Sequence, residues 1–315
     1  MSATDAPHAL PDGVLVVDKP SGASSFDVIR RLKPVLRRRK TGFLGTLDPF
    51  ATGVLPLCLG EATKLADALA GAEKEYLAEL RLGVGTDTGD RTGRAVRTAA
   101  VPALAHAALV EACAFFRGEH EQTPPMHSAV HVNGERLYEK ARRGEVVDRP
   151  ARRILIHDLA LHQLAPDRLE LRVVCSTGTY VRVLGEDIAH RLGTEGHLAA
   201  LRRTRSGGFA LERAATIDEI LADPAGAFGK AGTPLDRLRL PGFVEVTIDD
   251  AGAAAVGHGA AVRREQVRQA SAPLPPGARV AIRHDDRLLA LGVVGDDDQA
   301  AIRPTRVLVR REHAD

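Results

Sequence analysis

The chain has no Trp and only three Tyr and three Cys in 315 residues. A site that holds a planar group by stacking therefore has few side chains to draw on. Cys58, Cys113 and Cys175 lie far apart within apolar sequence and show no Cys-x-x-Cys spacing, which argues for reduced core residues rather than ligands. The twelve His are scattered without a His-x-x-x-His or His-x-Glu pattern, so no bound metal is expected. No apolar run approaches the roughly 18 residues a membrane helix needs. The opening MSATDAPHALPDG has neither a basic n-region nor an apolar h-region, so a cytoplasmic protein is expected. Net charge is only +2, too small by itself to announce a nucleic-acid partner.

What is present is an uneven distribution of that charge. From Arg30 to Lys40 the chain reads RRLKPVLRRRK, seven cations in eleven residues without an acid. Further clusters are Arg149 with Arg152 and Arg153, then Arg202, Arg203 and Arg205, then Arg303, Arg306, Arg310 and Arg311. Basic runs are often no more than solvated faces. Several of them in one chain favour phosphate contacts, which position an RNA without reading its sequence.

The length and a hydrophobic content of 44% suffice for a large folded domain with a smaller one behind it. Val14–Val17 fits a buried strand, and Ser24 with Asp27 forms a capping box ahead of a helix that Pro34 should end or kink. Val54–Leu59 reads as a strand in which Pro56 argues for an irregular or edge position. Residues 61–70 are strong helix formers. Ala78, Leu80 and Leu82 alternate with Glu79 and Arg81, the period of a half-buried strand, with Tyr76 near its start. Residues 103–116 read as helix, 124–150 as an irregular arm, and 153–164 and 168–175 as strands. A further helix carries the stripe Val181, Leu184, Ile188 and Leu192, leaving Tyr180 and Arg182 off it in the first turn, free to face a cleft. This order of elements predicts an α+β fold with a mixed, largely antiparallel sheet flanked by helices. After Leu240-Pro241-Gly242 the composition shifts, and short strands at 244–248, 279–283, 288–294 and 305–309 predict a small β domain. The expected organisation is residues 1–11 as a flexible start, 12–238 as the main domain and 240–315 as the second.

The segment most suited to chemistry is Gly45-Thr46-Leu47-Asp48-Pro49-Phe50-Ala51-Thr52-Gly53. Two glycines and a proline stiffen the loop that presents the Asp48 carboxylate. Taken alone, Asp-Pro is most simply an Asx turn.

The stretch GTLDPFATGVLPLCLGEATK, Gly45–Lys64, closely resembles the catalytic motif of the TruB family of bacterial tRNA pseudouridine synthases. Further matches follow in the family's order: Asp18-Lys19-Pro20-Ser21-Gly22, Lys74 with Tyr76, Gly85-Thr86-Asp87-Thr88, Gln122–Ala129, Gly134 with Leu137-Tyr138, Ala141-Arg142, Gly178-Thr179-Tyr180-Val181-Arg182, and His197-Leu198 through Leu201-Arg202-Arg203. The resemblance covers roughly residues 12–210 and weakens beyond. It implies a pseudouridine synthase fold with a C-terminal PUA-like RNA-binding module. The implied activity is isomerisation of uridine 55 in the T arm of tRNA by a stand-alone monomer that needs no cofactor, metal or protein partner.

By the same resemblance Asp48 is the catalytic carboxylate, Tyr76 stacks on the target uracil, Tyr180 and Leu201 line the pocket, and Arg182 favours the charged form of Asp48. Leu201 read alone is an ordinary core leucine, and Arg182 an exposed arginine at a helix start, where the dipole disfavours a cation. Lys64 takes no role. The chain departs from the family at Gly42-Phe43-Leu44-Gly45, where most members read Gly-His-Thr/Ser-Gly. Phe43 can fill space and stack against RNA, but it carries neither a donor nor a charge. Asp48 can act as a nucleophile at the sugar carbon, as a nucleophile at the base, or as the base that deprotonates C2′. Two other functions fit the same residues: a noncatalytic tRNA-binding or folding factor, and a uridine isomerase acting on another RNA or with a guide RNA.

Overall fold

The computed structural model describes residues 10–37, 39–71, 73–126, 131–132, 135–136, 147–296 and 302–308. The chain opens with β1 (Gly13–Lys19) and α1 (Ser25–Leu36), then β2 (Thr41–Phe43) and β3 (Thr52–Leu59). A 3₁₀ turn leads into α2 (Ala66–Ala70), followed by β4 (Lys74–Leu82), the hairpin β5 (Val84–Thr86) and β6 (Ala95–Thr98), and α3 (His106–Phe116). Next come β7 (Gly118–Gln122), the short pair β8 (His131–Val132) and β9 (Glu135–Arg136), β10 (Arg152–Ala165) and β11 (Arg168–Cys175). Then follow α4 (Val181–Arg191), β12 (Gly196–Ser206), β13 (Phe209–Ala210), α5 (Ile217–Ala222), α6 (Pro224–Ala231) and β14 (Gly232–Pro234). Most of the 124–150 segment, including Gly134, Leu137, Tyr138, Ala141 and Arg142, lies outside the described residues, as do residues 1–9, Arg310 and Arg311.

One large sheet runs β14-β1-β3-β12-β4-β11-β10-β7, with β2 paired to β3 and β13 to β12. Every pairing in it is antiparallel except β3 with β12, which meet at Arg202↔Thr52 and Arg203↔Gly53. The mixed, largely antiparallel sheet expected from the order of elements is the one observed. Its core gathers Leu15, Val17, Leu55, Leu57, Leu80, Leu171 and Val173 under α1, α3, α4 and α5.

Pro34 does not stop its helix at the preceding residue, and Pro56 does not lie in an edge strand. Pro34 sits inside the last turn of α1, which runs to Leu36 before Arg37 turns to φ 54. Its missing N–H costs one intrahelical bond, too little to end a helix already anchored by buried Val28, Leu32 and Leu36. Pro56 lies in an interior strand, opposite Val16 of β1. Its carbonyl accepts from Leu44 N at 2.9 Å, on the β2 side. A strand residue points its N–H and C=O to the same side, so the absent donor faces β2, near the seam where β12 gives way to it, and the β1 ladder loses nothing.

A second sheet, β16-β15-β17-β18-β19, is built from β15 (Val244–Ile248), β16 (Val267–Ala270), β17 (Arg279–His284), β18 (Arg287–Val294) and β19 (Ile302–Val307), with α7 (Asp250–Gly257) between its first strands. Its inner face, including Val246, Ile248, Val280, Ile282 and Ile302, forms a core of its own. A third cluster joins the two sheets through Leu235, Leu238 and Leu240, which pack with Val14, Cys58 and Leu65 on one side and Ala281, Leu288 and Leu291 on the other. Arg283 reinforces the junction by donating to Asp236 O at 2.6 Å and Leu238 O at 2.9 Å. Lys64 does the same, reaching Val307 O at 3.1 Å while pairing with Glu61 at 2.7 Å.

The three cysteines are buried and free. Burial pushes the Cys58 thiol up to about 12 and the Cys175 thiol up to about 11, as suits inert core groups.

Candidate active site

Asp48 stands on a loop clamped from below. Leu47, Phe50 and Ala51 are buried on either side of it, so the loop is anchored while the carboxylate remains about a third exposed. The turn between β1 and α1 supplies the clamp. Ser25 Oγ accepts from Leu47 N at 3.0 Å, Gly22 N donates to Pro49 O at 2.8 Å and Ser21 Oγ to Phe50 O at 3.1 Å. Lys19 is fully buried, and its ammonium donates to the carbonyls of Pro20, Ala23 and Pro49 at 2.9, 2.6 and 3.3 Å. Burial lowers its pKa to about 8 despite the raising field of Asp48.

Arg182 enters from the first turn of α4 and is nearly inaccessible to solvent. Its Nε donates to Asp48 Oδ2 at 2.8 Å, its Nη1 donates to Thr88 O at 2.6 Å, and Asp90 Oδ2 lies 3.8 Å from the Nε. Asp90 is itself fixed, its Oδ1 accepting from Thr92 N at 2.8 Å. A cation at a helix start is disfavoured by the dipole. Here two carboxylates compensate it, so the residue's place is explained by its partners and not by the helix.

Tyr76, third residue of β4, is buried opposite Val173 on one side and Arg203 on the other. Burial pushes its phenol above the usual range, so the hydroxyl stays protonated at neutral pH. Leu201 of β12 is buried beside it. Tyr180 is the N-cap residue of α4, and the buried Gln122 amide brackets its backbone, accepting from Tyr180 N at 2.8 Å and donating to Tyr180 O at 3.1 Å.

Asp48, Tyr76, Tyr180, Arg182 and Leu201 line one cavity of about 270 Å³, together with Gly45, Lys74 and Gly178. Phe43 is not in its wall: the half-buried ring packs edge-on against Phe26, centroids 5.0 Å apart at 82°. Lys19, Ser25, Asp90 and Gln122 also shape the site, and sequence reasoning gave them no role. Lys19 and Gln122 stood within recognised motifs, but only the fold shows what they hold.

The cluster Arg202, Arg203 and Arg205 does not present free cations to an RNA. Arg202 pairs with Asp18 at 2.7 Å, Arg205 lies 3.5 Å from Glu75, and Arg203 is fully buried, donating to Val54 O and Gly45 O. Among the described residues no group of three or more His, Cys, Asp or Glu is placed to hold a metal, and no helix is long and apolar enough to cross a membrane.

The profile of the TruB pseudouridylate synthase N-terminal domain matches residues 33–181, and that of the tRNA pseudouridylate synthase B C-terminal domain matches residues 182–241. The chain belongs to the TruB family of pseudouridylate synthases. It is 41% identical over 314 residues to the tRNA pseudouridine synthase B of Cupriavidus metallidurans, covering 98% of both chains. With the enzyme of the same name from Azoarcus sp. it shares 40% over 302 residues, covering 96% of both. Among solved structures, a chain of a Cbf5-Nop10-Gar1 complex superposes with a TM-score of 0.73 at 28% identity, covering 96% of this chain and 87% of that one. As a TruB pseudouridine synthase the protein is an isomerase acting on RNA.

Proposed function

We propose that this TruB protein converts uridine 55 in the T stem-loop of tRNA to pseudouridine, with Asp48 as the catalytic carboxylate. The carrying observation is the Asp48–Arg182 ion pair at the edge of a cavity whose wall includes the buried ring of Tyr76. Pseudouridine formation breaks the C–N glycosidic bond, turns the freed uracil and rejoins it to the same sugar carbon through C5. It requires an ionised carboxylate held against the sugar or base, and a pocket that encloses the uracil while it turns. Arg182 holds the Asp48 carboxylate in place through the 2.8 Å contact of its Nε. Tyr76 offers a face on which the flipped base stacks, worth about 1–3 kcal/mol, which offsets much of the unstacking cost. Tyr180 and Leu201 close the pocket around the ring.

Phe43, which packs on Phe26 outside the cavity wall, is assigned by this reading to RNA contact beside the flipped nucleotide. The region of residues 240–315, which contains the second sheet, serves as a PUA-like RNA-binding module behind a catalytic domain of residues 12–238. The test is to incubate an unmodified tRNA transcript with the enzyme and map pseudouridine by carbodiimide labelling and primer extension. A single stop at position 55 supports the reading. A stop at another uridine would replace the substrate site, and none at all would leave a binding protein.

A further inference from the structure

The active-site cavity carries more positive charge than the Asp48–Arg182 pair explains. Lys74 lines it from the first residue of β4, and among the described residues its ammonium has a single partner, the Oγ1 of Thr177 at 2.7 Å. That bond leaves two of the three N–H donors of Lys74 unused. Arg203 lies behind it, donating to the carbonyls of Val54 and Gly45 and facing the Tyr76 hydroxyl, all neutral groups. Both cations converge on Gly45, where a β-carbon would stand 3.2 Å from Lys74 Nζ and 3.3 Å from Arg203 Nη1. Neither forms an ion pair with a carboxylate among the described residues. Two cations driven together without a counter-ion cost electrostatic energy, seen in the lowering of the Lys74 pKa to about 8 by burial and by Arg203.

We infer that Lys74 is a substrate-binding residue that contacts a phosphodiester oxygen flanking the flipped uridine, with Thr177 orienting its ammonium and Arg203 adding charge from behind. Depth in the cavity selects the phosphate over the base. Tyr76 and Leu201 are buried and form the interior, whereas Lys74 is half-buried and its partner Thr177 is exposed at the mouth. A nucleotide turned out of its stack sends the base inward and leaves its phosphates at the mouth, joined to the rest of the strand. The uncapped N-terminus of α4, which faces the same cavity through Val181, also favours negative charge there. A point charge on a flexible stem suits a single phosphate oxygen. The contact rests on the flipped nucleotide of the proposed function, not on the chemistry that follows the flip.

The experiment compares a T stem-loop RNA with two versions in which the phosphate on the 5′ or the 3′ side of the target uridine is a neutral methylphosphonate. Each is titrated against wild type, Lys74→Met and Lys74→Arg, with near-ultraviolet circular dichroism to confirm that the variants are folded. For wild type, one of the two neutral substitutions is expected to weaken binding about tenfold, the size of one charge-assisted hydrogen bond. Lys74→Met is expected to bind the native RNA about tenfold more weakly and to be indifferent to that substitution, while Lys74→Arg retains the sensitivity. If Lys74→Met loses as much as wild type on both substitutions, the inference is overturned. Turnover of the native RNA reads the underlying reaction separately: wild type that shows the Lys74 coupling but forms no pseudouridine would sink the reaction and leave the contact standing.

Discussion

Arg182 Nε lies 2.8 Å from Asp48 Oδ2, and the same guanidinium is within 3.8 Å of Asp90 and donates to Thr88 O. One buried cation thus ties the loop after β2 to the turn after β5 and to the first turn of α4. Removing the charge leaves Asp48 and the buried Asp90 without it. Arg182→Met should therefore cost stability as well as turnover, on the order of 3–5 kcal/mol in urea denaturation. Arg182→Lys keeps the charge but cannot serve Asp48 and Thr88 O together. It should fold nearly normally and lose about 100-fold in single-turnover rate, roughly 2.7 kcal/mol.

The Lys19 ammonium holds three carbonyls, one of them Pro49 O beside the catalytic carboxylate. Lys19→Met removes the ammonium from all three oxygens, of which Pro49 O keeps the Gly22 N–H. A loss of about 3 kcal/mol in stability is expected, with turnover recovering toward wild type at low temperature, where the loop refolds. A variant as stable as wild type would show that the clamp is supplied by Ser25 and the backbone alone.

Gly53 has φ 100, and a β-carbon there would run into the Arg203 carbonyl where β3 meets β12. Gly53→Ala combines backbone strain with a clash against main chain. It should destabilise by roughly 3 kcal/mol and separate Arg203 from Gly45, read by urea denaturation and by RNA affinity.

Lys19 and Lys74 both fall from the ordinary 10.5 to about 8 through burial. Between about pH 8 and 10.5 the unfolded chain holds these protons and the folded chain does not, so their contribution to stability grows as pH rises through that window. Binding moves the other way, since the ammonium of Lys74 is lost on the same rise. RNA affinity in wild type should fall as pH passes about 8, and Lys74→Arg, charged throughout, should flatten that fall.

Phe43 rests against Phe26 and outside the cavity wall. Phe43→His should accordingly leave turnover within a few-fold of wild type in a multiple-turnover assay. A loss of two orders of magnitude would mean that the phenylalanine pair is integral to RNA engagement.

The parts of this molecule legible in its sequence are those governed by local rules. The Ser24–Asp27 capping box forms as expected, and the alternation from Tyr76 to Leu82 buries Tyr76, Ala78, Leu80 and Leu82 on one face. The alanine- and glycine-rich stretch after Ile248 becomes α7, capped by Asp249, which composition alone had not distinguished from loop. Strand β16 also went unread, because its two middle residues, Arg268 and Gln269, are exposed and leave no apolar period.

Long-range electrostatics was the least legible. The run Arg202, Arg203, Arg205 looks like a phosphate-binding patch until the sheet brings Asp18, Glu75 and the Val54 carbonyl beside it. Asp90 was invisible as a partner of Arg182 because the two meet only through the turn after β5 and the start of α4. The motif around Asp48 was recognisable as a string, whereas its rigidity depends on Lys19 and Ser25, which a turn on another part of the chain delivers.

The most direct measurement is tritium release from a tRNA transcript carrying [5-³H]uridine, comparing wild type, Asp48→Asn and a transcript altered only at uridine 55. Release by wild type alone, abolished by either change, is the predicted result. Release that persists in Asp48→Asn would contradict the assignment of Asp48 as the catalytic carboxylate, and release that persists without uridine 55 would contradict the substrate site.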